Sequence, residues 1–177
     1  MSHPSFKFEL FRFPADSLPG GLADQFPQLA RGLCEHGVAE SFIPGRYSLK
    51  RDLALKEAKS EDPLLCFGLT GLNWLVGANM TSGHVLTLIE FEDRSLEGFV
   101  NSSVGQFTET VRAVMDRFPY YDRGSDWGDW EAAGNDLMRL IEAVDPEAAI
   151  PDRFWSTFVD DVKMGDFDTR SVVGEML

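Results

Sequence analysis

The chain has 177 residues, of which 44% are hydrophobic and 25% charged, and its formal net charge at pH 7 is −13. That composition fits one α+β domain over residues 1–177 with a sizeable core and excludes wholesale disorder. The acidic excess argues against direct nucleic-acid binding, which needs a basic patch to neutralise phosphates. No run of 18 apolar residues marks a membrane span.

The residues Met1-Ser2-His3-Pro4-Ser5 lack the basic and apolar regions of a signal peptide. Phe6 to Leu10 alternates apolar and polar and predicts a strand, with a change of phase at Phe11-Arg12-Phe13. Asp16 to Gly21 is a turn cluster. Leu22, Phe26, Leu29 and Leu33 fall at helical spacing, but Pro27 splits the helix into two short pieces, and Gly37 is a C-cap candidate. Residues 38–62 carry mixed signals, with a short strand within Tyr47 to Leu55 and a charged loop from Lys56 to Asp62.

From Leu64 the chain becomes apolar. The runs 64–69, 73–78 and 84–91 predict an antiparallel meander, and Phe99-Val100-Asn101 adds a further short strand. Gly68, Gly71 and Gly77 are expected at its hairpin turns. Ser102 or Ser103 can cap the next helix, whose stripe is Val104, Phe107, Val111, Val114 and Phe118, ending at Pro119. A second helix runs from Trp127 to Val144 before Asp145-Pro146. A third opens near Pro151-Asp152 and stops before Gly165. Strands in the middle and helices at both ends predict α+β, a central mainly antiparallel sheet flanked by N-terminal and C-terminal helices.

No catalytic constellation emerges. His3, His36 and His84 lack metal-ligand spacing, and no GxSxG, Walker or GxGxxG motif occurs. Glu61-Asp62, Glu90 with Glu92-Asp93, and Asp160-Asp161 are the carboxylate pairs, each expected to face water in so acidic a chain. Asp122 to Asp129 approaches a calcium loop only superficially. Cys34 and Cys66 read as buried thiols. The expectation is no enzyme, no metal and no cofactor, in a cytoplasmic protein.

The charge is unevenly placed. Residues 122–177 hold 14 acids and 5 bases, a net of −9, whereas residues 1–121 carry a net of −4. This acidic third opens on an aromatic segment containing Tyr120, Tyr121, Asp122, Asp126, Trp127, Asp129 and Trp130. The rings can bury themselves at a helix start. They can also anchor a partner, since Trp and Tyr dominate interface hot spots. Both readings hold together if the rings point in and the acids point out. These seven residues are the candidate partner surface, and a basic protein would be steered towards it.

Several pieces, taken in order, resemble the SUKH superfamily and its fourth branch, common in actinobacteria. They are Leu18-Pro19, Gly37-Val38, Leu65-Cys66-Phe67-Gly68, Val85-Leu86-Thr87-Leu88, the junction Phe99-Val100-Asn101-Ser102-Ser103-Val104-Gly105-Gln106-Phe107, Asp145-Pro146 and Pro151-Asp152-Arg153-Phe154-Trp155. The resemblance implies an immunity protein that binds and blocks a protein toxin, often a nuclease or a nucleic-acid deaminase, by occlusion. A basic toxin would suit the acidic third. A regulatory scaffold for a cellular protein is the alternative. The chain is expected to be a monomer or weak homodimer, with no membrane partner.

Overall fold

The computed structural model describes residues 7–57, 62–71, 73–92, 95–122 and 124–167. Two short strands, β1 (Leu10–Phe11) and β2 (Val38–Ala39), pair antiparallel. Between them lie α1 (Leu22–Gln25) and α2 (Pro27–Arg31), which runs on into a wider turn at Gly32–His36. The main sheet has six strands in the order β3 to β8. These are β3 (Ser41–Phe42), β4 (Tyr47–Lys56), β5 (Leu64–Thr70), β6 (Leu75–Asn79), β7 (Val85–Glu90) and β8 (Ser95–Asn101). Every neighbouring pair is antiparallel, and a short helix, α3 (Ile43–Arg46), joins β3 to β4. Three longer helices follow: α4 (Val104–Met115), α5 (Trp127–Val144) and α6 (Phe154–Lys163).

Central strands read as continuous apolar runs because both faces are covered. Leu65, Phe67, Val76, Ala78, Val85 and Val100 pack into the main core with Val104, Phe107, Val111 and Val114 of α4 and with Trp155, Phe158 and Val159 of α6. On the opposite face Leu64, Cys66 and Leu88 form a smaller cluster with Leu75 and Leu86. Each fully buried large side chain contributes roughly 1.5–3 kcal/mol of transfer free energy. The core is rich in aromatic edges. Phe42 meets both Trp155 and Phe158 edge-to-face at 5.3 and 4.9 Å.

A buried polar knot ties the helices to β8. Asn101 donates from Nδ2 to Thr110 Oγ1 at 3.1 Å and to Asp145 Oδ2 at 3.0 Å, and its Oδ1 accepts from Trp155 Nε1 at 2.9 Å. Asp145 also accepts from the Ser102 N–H at 2.7 Å and from Ser102 Oγ at 2.8 Å. Buried polar groups in native proteins have hydrogen-bond partners, and here each partner lies on a different element. The knot therefore fixes how β8, α4, α6 and the end of α5 meet.

Several local expectations change. The strand predicted over Phe6–Leu10 is only Leu10–Phe11 among the described residues, because its partner β2 has two residues and the ladder stops there. Phe6 lies outside the described residues. Gly68 and Gly77 sit inside β5 and β6, not at turns. A Cβ on Gly68 would lie 2.3 Å from the Tyr47 ring, and one on Gly77 would lie 2.7 Å from the Leu65 carbonyl oxygen. The α4 helix ends at Met115, so Phe118 follows it instead of extending its stripe. The strand foreseen at 99–101 extends back to Ser95. Cys34 is half-buried and Cys66 is buried.

Candidate partner-binding surfaces

Helix α5 begins where Asp126 Oδ1 accepts the N–H groups of Gly128 and Asp129, at 2.9 and 3.3 Å. Asp129 Oδ2 in turn accepts the Asp126 N–H at 3.1 Å. This reciprocal cap satisfies backbone donors that a helix start leaves orphaned. The carboxylates also complement the positive end of the helix dipole. Both remain exposed while they cap, as do Asp122 and Glu131.

The seven candidate residues fall into two groups. Tyr121 is buried, and its Oη accepts the Phe167 N–H at 2.8 Å. Tyr120 packs edge-to-face on Phe118, Phe158 and Phe167, with its hydroxyl buried and without a partner. Burial pushes the Tyr120 phenol well above its usual range, and the neighbouring Tyr121 adds to the shift. Trp130 is half-buried against Tyr121 and lies over Gly165. These three rings form the underside. Trp127 stands outside, 66% exposed, and with Asp122, Asp126 and Asp129 it forms a ledge at the start of α5. An exposed tryptophan is unusual, since its large ring is normally mostly buried.

A second feature gave no sequence signal. The inner face of the sheet carries a cleft of about 850 Å³ between β5–β8 on one side and α3, α6 and the turn after α6 on the other. Ile89, Leu96 and Phe99 contribute apolar surface from the sheet, Trp74 from the connection between β5 and β6, and Phe154 and Phe158 from α6. The antiparallel register explains the floor. Thr87 opposes Val76 on one side and Gly98 on the other, so these positions share a face. Arg46 Nη1 bonds Asp161 Oδ2 across the cleft end at 2.8 Å. The residues come from stretches far apart in the chain, which is why no linear motif marks them.

The carboxylate pairs do not converge. Glu90 pairs with Lys56 at 3.1 Å, Asp161 with Arg46, and Asp62 accepts Thr81 Oγ1 at 2.8 Å. Glu61 and Asp93 lie outside the described residues. Among the described residues no group of three or more His, Cys, Asp or Glu could hold a metal ion. His36 and His84 are exposed, and His84 meets the Phe99 ring edge at 5.4 Å. Burial pushes the Cys66 thiol up to about 11, and burial followed by Glu35 raises that of Cys34. No helix among the described residues is long and apolar enough to cross a membrane.

Fold and surfaces together define an α+β protein with an antiparallel meander, helices packed on part of one face, and acidic and aromatic surfaces left open. Residues 48–161, from β4 into α6, match the family model described as SUKH-4 immunity protein. The chain belongs to that family, and membership supports an immunity function with a protein toxin as partner. No curated protein and no solved structure shows a significant match to it. Three of the pieces that carried the resemblance meet physically, since Asn101-Ser102, Asp145 and Trp155 all belong to the buried knot.

Proposed function

We propose that the chain neutralises a basic toxin domain, a nuclease or nucleic-acid deaminase, by holding it on the ledge at the start of α5 and covering its active site. The chain supplies no chemistry of its own in this reading. The observation that carries it is the exposure of Trp127 beside the carboxylates of Asp122, Asp126 and Asp129. A toxin that acts on nucleic acid presents cations where phosphates bind. An acidic face complements that surface and steers the encounter, while an exposed ring supplies a desolvated anchor. The underside rings Tyr120, Tyr121 and Trp130 hold the ledge in place from within.

Calorimetry against the toxin domain encoded beside the gene tests this reading. Trp127→Ala combined with Asp122→Lys leaves both capping carboxylates intact, so the fold is preserved. Removing an interface anchor of this kind weakens binding by about 2 kcal/mol or more, roughly thirty-fold. Unchanged affinity in a folded double variant contradicts the proposed surface.

A further inference from the structure

The two most exposed large apolar side chains among the described residues are Trp127, at 66%, and Met164, at 62%. Met164 is the C-cap residue of α6, and its N–H bonds Asp160 O at 3.0 Å. The end of α6 lies beside the start of α5. The Lys163 stem packs directly on Gly134, and two residues later Gly165 lies against the Trp130 ring, so the helices run antiparallel. The turn that follows, through Asp166 and Phe167, closes the end of the cleft. Trp127 stands one turn before Trp130, and Met164 stands next to Gly165. Both exposed side chains therefore mark the same end of the helix pair.

Each helix also sets a carboxylate one turn from its apolar residue. On α5 Trp127 is followed by Glu131, on α6 Met164 is preceded by Asp160, and all four are exposed. Side chains at i and i+4 share a helix face. The nearby Asp161 and Asp136 are taken up by Arg46 and Arg117, at 2.8 and 3.4 Å. Asp160 and Glu131 pair with no cation among the described residues. Lys163, the base in the last turn of α6, lies across Gly134 instead. The negative end of the α6 dipole adds to the acidic field here.

Single apolar side chains scattered over a surface are ordinary, whereas a grouped and acid-rimmed set marks a place where a partner excludes water. The two residues complement each other. Tryptophan supplies a large rigid face, and methionine, unbranched and polarisable, fits itself to an irregular surface.

We infer that the toxin-binding surface spans both helices, with Met164 as a second apolar anchor beside Trp127 and with Asp160 and Glu131 in its acidic rim. The partner this fits is a basic face on which lysine or arginine side chains surround an apolar residue. That apolar residue packs on Trp127 and Met164, and the cations meet the rim. Charge favours this occupant over a second copy of the chain, whose net charge of −13 would set carboxylates against carboxylates. A second anchor rests on the reading of a basic toxin held at the start of α5 and deepens it.

The test uses the full chain with ¹³C in its methionine methyl groups, titrated with the toxin domain encoded beside the gene, and Met164→Leu assigns the Met164 signal. That signal is expected to shift on binding, while those of the buried Met80 and Met115 stay in place. In calorimetry Met164→Ala is expected to weaken binding about ten-fold, Met164→Leu to hold it within about two-fold, and Asp160→Lys to weaken it about five-fold. Both sites are exposed, so the urea unfolding midpoints should match that of the unaltered chain. A bound toxin that leaves the Met164 signal unshifted, or unchanged affinity in Met164→Ala, overturns the inference. Either result leaves the Trp127 ledge standing, because the toxin affinity of the Trp127→Ala and Asp122→Lys variant decides that reading separately. A Met164 shift produced by raising the concentration of the chain alone would give the surface to a second copy and overturn it as well.

Discussion

Asn101 commits its whole side-chain amide to three partners on three elements, and none of those bonds reaches solvent. Asn101→Ala leaves the Trp155 Nε1–H without an acceptor and removes one donor from Asp145. Stranding such groups is expected to lower stability by about 3 kcal/mol, read from the urea unfolding midpoint. A change below about 1 kcal/mol, the worth of one ordinary exposed bond, would contradict the knot's role. Alkaline pH tests a different set of residues. Burial raises the Cys66 thiol from 9.0 to about 11, and raises the Tyr47 and Tyr120 phenols well above 10.0. In each case folding favours the protonated form. That contribution is complete below pH 9 and is lost as pH rises through the folded values, so stability is expected to fall between pH 9 and about 11. Cys66→Ala should flatten the early part of that fall, and an unchanged profile would show that the thiol contributes nothing. At this scale the sequence was partly legible. It brought Trp127 and Trp130 to one helix start. It did not reveal that Trp130 turns inward onto Tyr121 and Gly165 while Trp127 stays outside, because that depends on where the turn after α6 comes to rest.

Among the elements, the helices and the inner strands were the legible ones. The stripe of Val104, Phe107, Val111 and Val114 faces one continuous core, so helical periodicity survives into the fold. The run 64–69 is apolar because β5 is covered on both faces. β4 was obscure for the opposite reason. Residues Lys50 to Lys56 lie beyond its pairing with the two-residue β3 and are largely exposed. A register shift between Leu49 and Ala54 also breaks the alternation that would mark a strand. The glycines of β5 and β6 were misread because turn chemistry and close strand packing both require glycine. Close packing supplies a test. At Gly77 a methyl group would press on backbone, 2.7 Å from Leu65 O and 2.9 Å from Cys66 Cα. Gly77→Ala is therefore expected to destabilise the protein by about 1–3 kcal/mol in urea unfolding, whereas Gly83→Ala, which meets no atom within 4 Å, answers only to its left-handed φ of 75°. Equal losses at the two positions would mean that strand packing is not the constraint on Gly77.

Taken as a whole, the molecule concentrates acid in its last third and leaves that part open at two adjoining places, the ledge of α5 and the cleft beneath α6. The charge asymmetry was readable from residue counts, and so was the aromatic segment. The cleft was not, because the α6 wall and the β7–β8 floor meet only when the meander folds under the helix. Charge of this kind acts at a distance and is screened by salt, with a Debye length of about 10 Å at 0.1 M. The most direct test of a basic toxin held by an acidic face is therefore the affinity for the neighbouring toxin domain measured from about 50 to about 300 mM salt. The account predicts tight binding that weakens steadily across that range, with slower association as its main cause. Binding that is indifferent to salt, or no binding to the neighbouring toxin at any salt, would contradict it.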